Sequence, residues 1–198
     1  MAVQVPTRRQ TIETAASALF RERGYAGTSV RDIARALDIR GASLYAHVTS
    51  KEDVLWSIVE RAATAFEVAA DQALASVPRS AGEPAHLEAL VRAHVGVITA
   101  DPELANVFVH EWRHLSGPRR ARILARRDAY EARFRRLIAR GLSRGTFAHA
   151  DADVAATFVL TALNGIATWY RPRGRLSRGR IADQFAALTV RALTGETP

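Results

Sequence analysis

With 198 residues, 48% of them hydrophobic and 24% charged, the chain has the composition of a well-cored globular protein of one or two domains. Its formal charge of +8 favours polyanionic partners: nucleic acid, an anionic membrane or a phosphorylated ligand. The lack of cysteine excludes disulfides, thiolate metal sites and cysteine nucleophiles. No unbroken run of about 18 apolar residues suggests a membrane span, and the opening "MAVQVPTRRQ" shows no apolar signal core, so a cytoplasmic location is expected.

The apolar period is helical nearly throughout, which predicts an all-α fold of about nine helices. Ile12, Ala15, Ala16, Leu19 and Phe20 form a first stripe that ends at "RGYAGT". Thr28 or Ser29 can cap a second helix carrying Val30, Ile33, Ala34 and Leu37. "LDIRG" then makes a tight turn, in which Asp38 tolerates a left-handed backbone. The next helix, over residues 42–47, is too short to stand alone and must be held by packing through Ile39, Leu44 and Val48. Its outer side is small, with Gly41, Ala42, Ser43 and Ala46, and is flanked by the donors Arg40, Tyr45 and His47. Small side chains permit close approach, so this is a helix-turn-helix with a recognition helix sized for a major groove.

A long connector follows over residues 51–76, with Val54, Leu55, Ile58, Val59, Ala62 and Phe66 on one stripe. Ser50 and Asp53 have capping-box spacing at its start. The free amides of such a helix start suit a phosphate. Lys51, the chain's single lysine among 27 arginines, adds a compact ammonium there. After the linker "SVPRSAGEP", further helices are expected over residues 84–100, 102–115, 118–144, 151–170 and 177–193, with Pro84, Pro102 and Pro118 suited to first turns.

The segment "TSVRDIARALDIRGASLYAHVTSKEDVL" resembles the DNA-binding unit of the TetR family of bacterial repressors, a likeness covering roughly residues 8 to 60. Two positions depart from the family pattern, which has glycine where this chain has Asp38 and Ala42. The resemblance implies a DNA-binding domain over residues 1–50 and a ligand-binding and dimerisation domain over 51–198. It implies phosphate contacts from Thr28, Tyr45, His47 and Lys51, with Arg31 a further backbone contact. Arg40, Ser43, Gly41 and Ala42 face base edges on this reading, and Arg40 serves either guanine O6 and N7 or a phosphate.

In TetR-like proteins the C-terminal region binds an effector, and its last two long helices form a four-helix interface between two subunits. Helix 151–170 suits that role: it is apolar almost all round, through Val154, Phe158, Val159, Leu160, Leu163, Ile166 and Trp169. Ala155, Ala156, Ala162 and Gly165 permit close approach, and Ile181, Phe185, Leu188 and Ala192 stripe the final helix. Phe66, His94, Ile98, Phe108, Trp112, Tyr130, Phe134 and Phe158 supply a ligand wall, interspersed with Asn106, His110, Glu111 and Asn164. His110 and His114 share a helix face but lack a third ligand, so neither metal nor cofactor is expected.

Between Arg113 and Arg144 there are eleven arginines and two acids, and "RPRGRLSRGR" adds five arginines and no acid. Such imbalance suits a phosphorylated partner. "NGIATWYRPRGRLSRGRIADQF" is similar to the C-terminal signature of TetR-like regulators of fatty-acid and steroid catabolism, several of which release DNA on binding an acyl-coenzyme A thioester. That resemblance implies an acyl group in the apolar wall and phosphates on Arg119, Arg122, Arg126 or Arg173. Drug-efflux repressors carry similar segments, so a drug-responsive repressor is the alternative.

No nucleophile elbow, phosphate loop or metal motif is present, so no enzyme is expected. The arginine-rich helix carries Tyr130, Phe134, Leu137 and Ile138 as bundle core, so no membrane partner is expected. The function that emerges is a cytoplasmic, nucleoid-associated repressor that binds a palindromic operator as a homodimer through helices 151–170 and 177–193 and is released by a small hydrophobic effector.

Overall fold

The computed structural model describes residues 7–148 and 151–195. Most of the opening segment "MAVQVPTRRQ" lies outside them, as do His149 and Ala150 of the loop "SRGTFAHAD". Among the described residues there are nine α-helices and no strand: α1 (Arg8–Arg23), α2 (Val30–Ala36), α3 (Gly41–Tyr45), α4 (Lys51–Ser76), α5 (Gly82–Ala100), α6 (Pro102–His110), α7 (Gly117–Ser143), α8 (Ala152–Trp169) and α9 (Arg178–Thr194). The expected all-α order is thus observed. Residues 112–114 tighten into a single 3-10 turn, which ends α6 earlier than the expected residue 115.

Cap chemistry sets several of these boundaries. Thr7 and Gln10 close a capping box on α1, and Ser29 and Asp32 close one on α2. Asp151 accepts the N–H groups of Asp153 and Val154, each at 2.9 Å, to start α8. At the end of α1, Gly24 takes φ 73°, a conformation that favours glycine, while its N–H bonds the Phe20 carbonyl.

The chain divides into two compact units that do not follow a cut at residue 50. The first comprises Met1–Ala62 and Glu103–Ile123; the second comprises Ala63–Pro102 and Leu124–Pro198. The helices α4 and α7 each pass from one unit into the other. In the first unit Ile12, Phe20, Ile33, Leu44, Leu55 and Ile58 are buried, and α2 packs on both α1 and α3. Each such side chain contributes about 1.5–3 kcal/mol by leaving water. In the second unit α5 packs along α9 and α8, over a core that includes Phe66, Leu87, Leu90, Phe134, Leu163 and Ile166.

Candidate DNA interface and ligand cluster

In the first unit a turn over residues 24–28 hands the chain from α1 to α2. The Thr28 N–H bonds the Tyr25 carbonyl at 3.2 Å, and the Thr28 hydroxyl donates to the Gly24 carbonyl at 2.9 Å. Thr28 is therefore buried, and its hydroxyl is committed inside the unit, which removes it from the expected phosphate contacts. Exposed Ser29 is the cap instead: Asp32 N–H donates to the Ser29 hydroxyl, and Ser29 N–H donates to the Asp32 carboxylate. Those bonds to Ser29 hold the Asp32 carboxyl below the usual carboxylate range.

After α2, Asp38 takes the expected left-handed conformation with φ 51°, and Ile39 N–H returns to the Ala34 carbonyl at 3.0 Å. The turn delivers α3, whose five residues begin at Gly41. Leu44 and Val48 are buried beneath it. Ala42, Ser43, Tyr45, Ala46 and His47 are exposed, Tyr45 at 57%. A five-residue helix pinned at Leu44 leaves its outer face without an internal task. A Cβ added at Gly41 would meet no atom within 4 Å, and its backbone is not left-handed, so nothing inside the unit requires glycine there. Arg31, Arg35, Asp38, Arg40 and Gly41 line a groove of about 490 Å³ between α2 and the start of α3. Arg35 was not anticipated, yet its spacing of four from Arg31 already placed both on one helix face.

Lys51 occupies a different place from the one expected. Its ammonium donates to the carbonyls of Tyr25 and Thr28, both at 2.8 Å, and lies 4.1 Å from the centre of the Tyr25 ring. Two of its three N–H groups thus fix the turn ahead of α2. The same turn is held by residues just past the end of α6. Glu111 accepts the Tyr25 N–H at 3.1 Å, and the His114 ring stacks on Tyr25 with centroids 5.0 Å apart. Burial, then the nearby Glu52 carboxylate, push the Tyr25 hydroxyl up from its ordinary value. Glu111 and His114 lie some ninety residues from the turn, and no local sequence pattern marks that contact.

The expected capping box on α4 is half made. Asp53 N–H donates to the Ser50 hydroxyl at 3.0 Å, but the Asp53 carboxylate reaches Thr49 N–H and the Arg119 guanidinium. Arg119 belongs to a wider pattern. In the first unit Arg119 pairs with Asp53 at 3.0 Å and Arg122 with Glu60 at 2.9 Å. In the second, Arg126 pairs with Glu67, Arg133 with Asp71, Arg135 with Asp153 and Arg144 with Glu83. Six of the eleven arginines between Arg113 and Arg144 are therefore paired with acids that the fold brings from α4, α5 and α8. This corrects the expected effector-phosphate role of Arg119, Arg122 and Arg126, each of which is committed to a carboxylate. Arg173, on the exposed loop between α8 and α9, has no carboxylate partner among the described residues.

Five of the eight expected ligand-wall residues gather in the second unit. Phe66 from α4, His94 and Ile98 from α5, and Tyr130 and Phe134 from α7 form one cluster or its floor. The His94 ring lies 4.7 Å from Phe66, 5.7 Å from Tyr130 and 6.4 Å from Phe134, centre to centre. His94 Nδ1 and the Tyr130 hydroxyl are hydrogen-bonded at 3.0 Å. Burial pushes the His94 imidazole down to about 3, and burial pushes the Tyr130 hydroxyl up, so both are neutral near pH 7. Phe108 and Trp112 are buried in the first unit. Phe158 is also corrected: it is 60% exposed.

Phe158 instead joins Val154 and Trp169 on an exposed face of α8, with Leu188 exposed on α9. Trp169 stacks on Phe185 of α9, centroids 6.4 Å apart. Val154, Phe158, Ala162, Gly165 and Trp169 recur at helical spacing, so one side of α8 is apolar and uncovered within the chain. Among the described helices α8 is long and apolar enough to cross a membrane, at 18 residues and mean hydropathy 1.2, although Asp153 and Asn164 keep it from being an unbroken apolar run. A Cβ added at Gly165 would meet nothing within 4 Å, so that glycine serves no contact inside the chain.

Two family models match the sequence. Residues 12–58 match the bacterial regulatory proteins of the tetR family, and residues 81–193 match the tetracyclin repressor-like C-terminal domain. The HTH-type transcriptional repressor KstR2 of Mycobacterium tuberculosis is 28% identical over 202 residues, covering 99% of this chain and 98% of KstR2. The solved structure of that ketosteroid regulator superposes with TM-score 0.89 at 27% identity, over 98% of this chain and 99% of the other. PfmR of Thermus thermophilus, a TetR family transcriptional regulator, superposes with TM-score 0.79 at 32% identity, over 91% and 97%. AibR, solved with isovaleryl coenzyme A and operator DNA, does so with TM-score 0.81 at 27% identity, over 96% and 100%.

Proposed function

The chain belongs to the TetR family of bacterial regulatory proteins, and on that premise we propose that it is a cytoplasmic repressor that grips a palindromic operator as a homodimer and lets go when an acyl-coenzyme A thioester binds. The observation that carries this reading is α3: five residues anchored from within by Leu44, with small and hydrogen-bonding side chains turned outward. Such a helix enters a major groove, Ser43, Ala42 and Gly41 nearest the base edges and Tyr45 and His47 on phosphates. Arg31 and Arg40 share one groove on the unit's surface, which favours sugar-phosphate backbone for both. Lys51 acts by fixing the turn ahead of α2, with one N–H left for a phosphate.

A second copy covers the apolar face of α8 and α9. That face holds Val154, Phe158, Trp169 and Leu188, all too exposed for a lone soluble subunit, and Gly165 lets two backbones approach closely. Two heads then reach half-sites about one helical turn apart. The thioester reading is supported by the likeness to AibR, by the aromatic cluster and by the unmatched arginines of the loop after α8. Because α4 and α7 each run from one unit into the other, a ligand that shifts them in the second unit changes the heads' spacing. A few kcal/mol of coupling suffices.

Fluorescence anisotropy tests this directly. Labelled DNA from the gene's own upstream region should bind as two chains per palindrome. Isovaleryl, octanoyl or palmitoyl coenzyme A should raise the apparent Kd at least tenfold. Tightening on thioester addition, or binding by one chain, contradicts the proposal.

A further inference from the structure

One polar atom in the core of the second unit is left without a partner. His94 is 3% exposed, and its Nε2 has no hydrogen-bond partner among the described residues. A buried polar group in that state is costly and rare. The other edge of the ring is satisfied, because Nδ1 and the Tyr130 hydroxyl lie 3.0 Å apart. Counting hydrogens assigns the proton. If the Tyr130 O–H donates to Nδ1, the single group left over is the Nε2–H. If Nδ1–H donated to the tyrosine oxygen, both the phenol hydrogen and the Nε2 lone pair would be stranded. The first arrangement leaves fewer groups unmatched, so Nε2 carries the hydrogen. Asn164 of α8 is a polar side chain facing the ring: its amide oxygen favours the protonated form, yet Nε2 has no partner at full hydrogen-bond geometry. Around this edge the surroundings are otherwise apolar: Phe66, Ile98 and Phe134 are all at most 2% exposed.

We propose that His94 Nε2–H is the polar anchor of the effector site and that it donates to a carbonyl oxygen of an otherwise apolar acyl ligand, with the Asn164 amide as a second donor to the same oxygen. The inference rests on the effector reading above and deepens it by naming the ligand atom that is recognised. The chemistry follows from what the site offers. A neutral N–H within a ring of aromatic and aliphatic walls rewards an acceptor without a charge. A thioester carbonyl fits; a carboxylate would have to be desolvated, and the Arg127 charge felt at the ring is a smaller influence there than burial. In the free protein the same N–H is a standing cost to stability, of the kind found where a site is built for something other than the fold.

That last point gives a test that needs no ligand. The double variant His94→Leu with Tyr130→Phe removes every polar atom of the pair at nearly constant volume, so no new orphan is created. The full-length double variant should melt several degrees above wild type when both are free of ligand. Wild type should gain melting temperature on adding isovaleryl, octanoyl or palmitoyl coenzyme A, the double variant should lose most of that gain, and the matching free acids should do little to either. A double variant that melts below wild type overturns the inference, because the polar pair then serves the fold. So does a double variant that responds to thioester as wild type does. If no thioester moves wild type while the double variant still melts higher, the thioester part of the proposed function fails and the anchor for an uncharged carbonyl stands. Tyr130→Phe alone is the milder second variant: it leaves His94 in place and should keep a clear part of the thioester response.

Discussion

The two units commit their polar groups in opposite ways. In the first, the turn over residues 24–28 is tied down by Lys51 and Glu111, while the exposed side chains of α3 do nothing for the fold. In the second, Arg126, Arg133 and Arg135 of α7 are paired with carboxylates, and an unmatched ring nitrogen sits in the core, on His94. The contrast teaches where function and stability separate. Changes on the outer face of α3 alter binding and spare the fold. Changes in the aromatic cluster alter both, and the two move in opposite directions.

The largest expected effect breaks the contrast within one helix. Leu44→Ala should lower stability by about 2–5 kcal/mol, read from urea unfolding, because it empties a filled site under α3. Tyr45→Ala, one residue along and 57% exposed, should leave the unfolding midpoint unchanged and weaken operator binding roughly 10- to 100-fold. Equal losses of stability at both positions would return Tyr45 to the core and erase the distinction.

The second unit has its own signature in acid. Burial holds the folded His94 at about 3, whereas an unfolded histidine titrates near 6.5. Between those values the unfolded chain takes up a proton that the folded chain refuses. His94 therefore gives full stability above about pH 6.5 and loses it as pH falls, by at most about 1.4 kcal/mol per unit. The difference in unfolding free energy between wild type and the His94→Leu, Tyr130→Phe variant, followed from pH 7 to 4.5, should grow steadily in favour of the variant. A flat difference would place His94 in contact with water.

Smaller effects sharpen the picture of the DNA face. Lys51→Met should cost about 1 kcal/mol in operator affinity, roughly fivefold, with the salt dependence nearly unchanged, because the lost bonds are to Tyr25 and Thr28 carbonyls. Arg31→Ala should instead lower the salt slope by about one unit per lost phosphate contact. Anisotropy titrations from about 50 to 200 mM salt separate the two. A drop in slope on removing Lys51 would make it chiefly a phosphate ligand.

Much of this was legible in the chain. The order of helices, the Ser29–Asp32 cap, the left-handed Asp38 and the inward Leu44 and Val48 all follow from neighbours within a turn or two. Five of the eight ligand-wall residues come together because each lies on the apolar stripe of its own helix. Errors arose where a residue's partner is remote. Thr28 and Ser29 are chemically interchangeable as caps, and only the Gly24 carbonyl decides which is buried. Phe158 lies on a helix apolar almost all round, so its periodicity could not say which side stays open.

Sequence alone settled the local physics of this protein: helical periods, cap chemistry, a strained turn and a short helix that must be propped from inside. These act over a few residues, so their signal is contiguous. The fold decided which charges meet and how buried polar atoms are matched. It tied the α7 arginines to acids some sixty residues away, joined residues 103–123 to the DNA-binding unit, and left one edge of His94 bare. Such pairings depend on distances between elements, and a chain read in order carries no record of them.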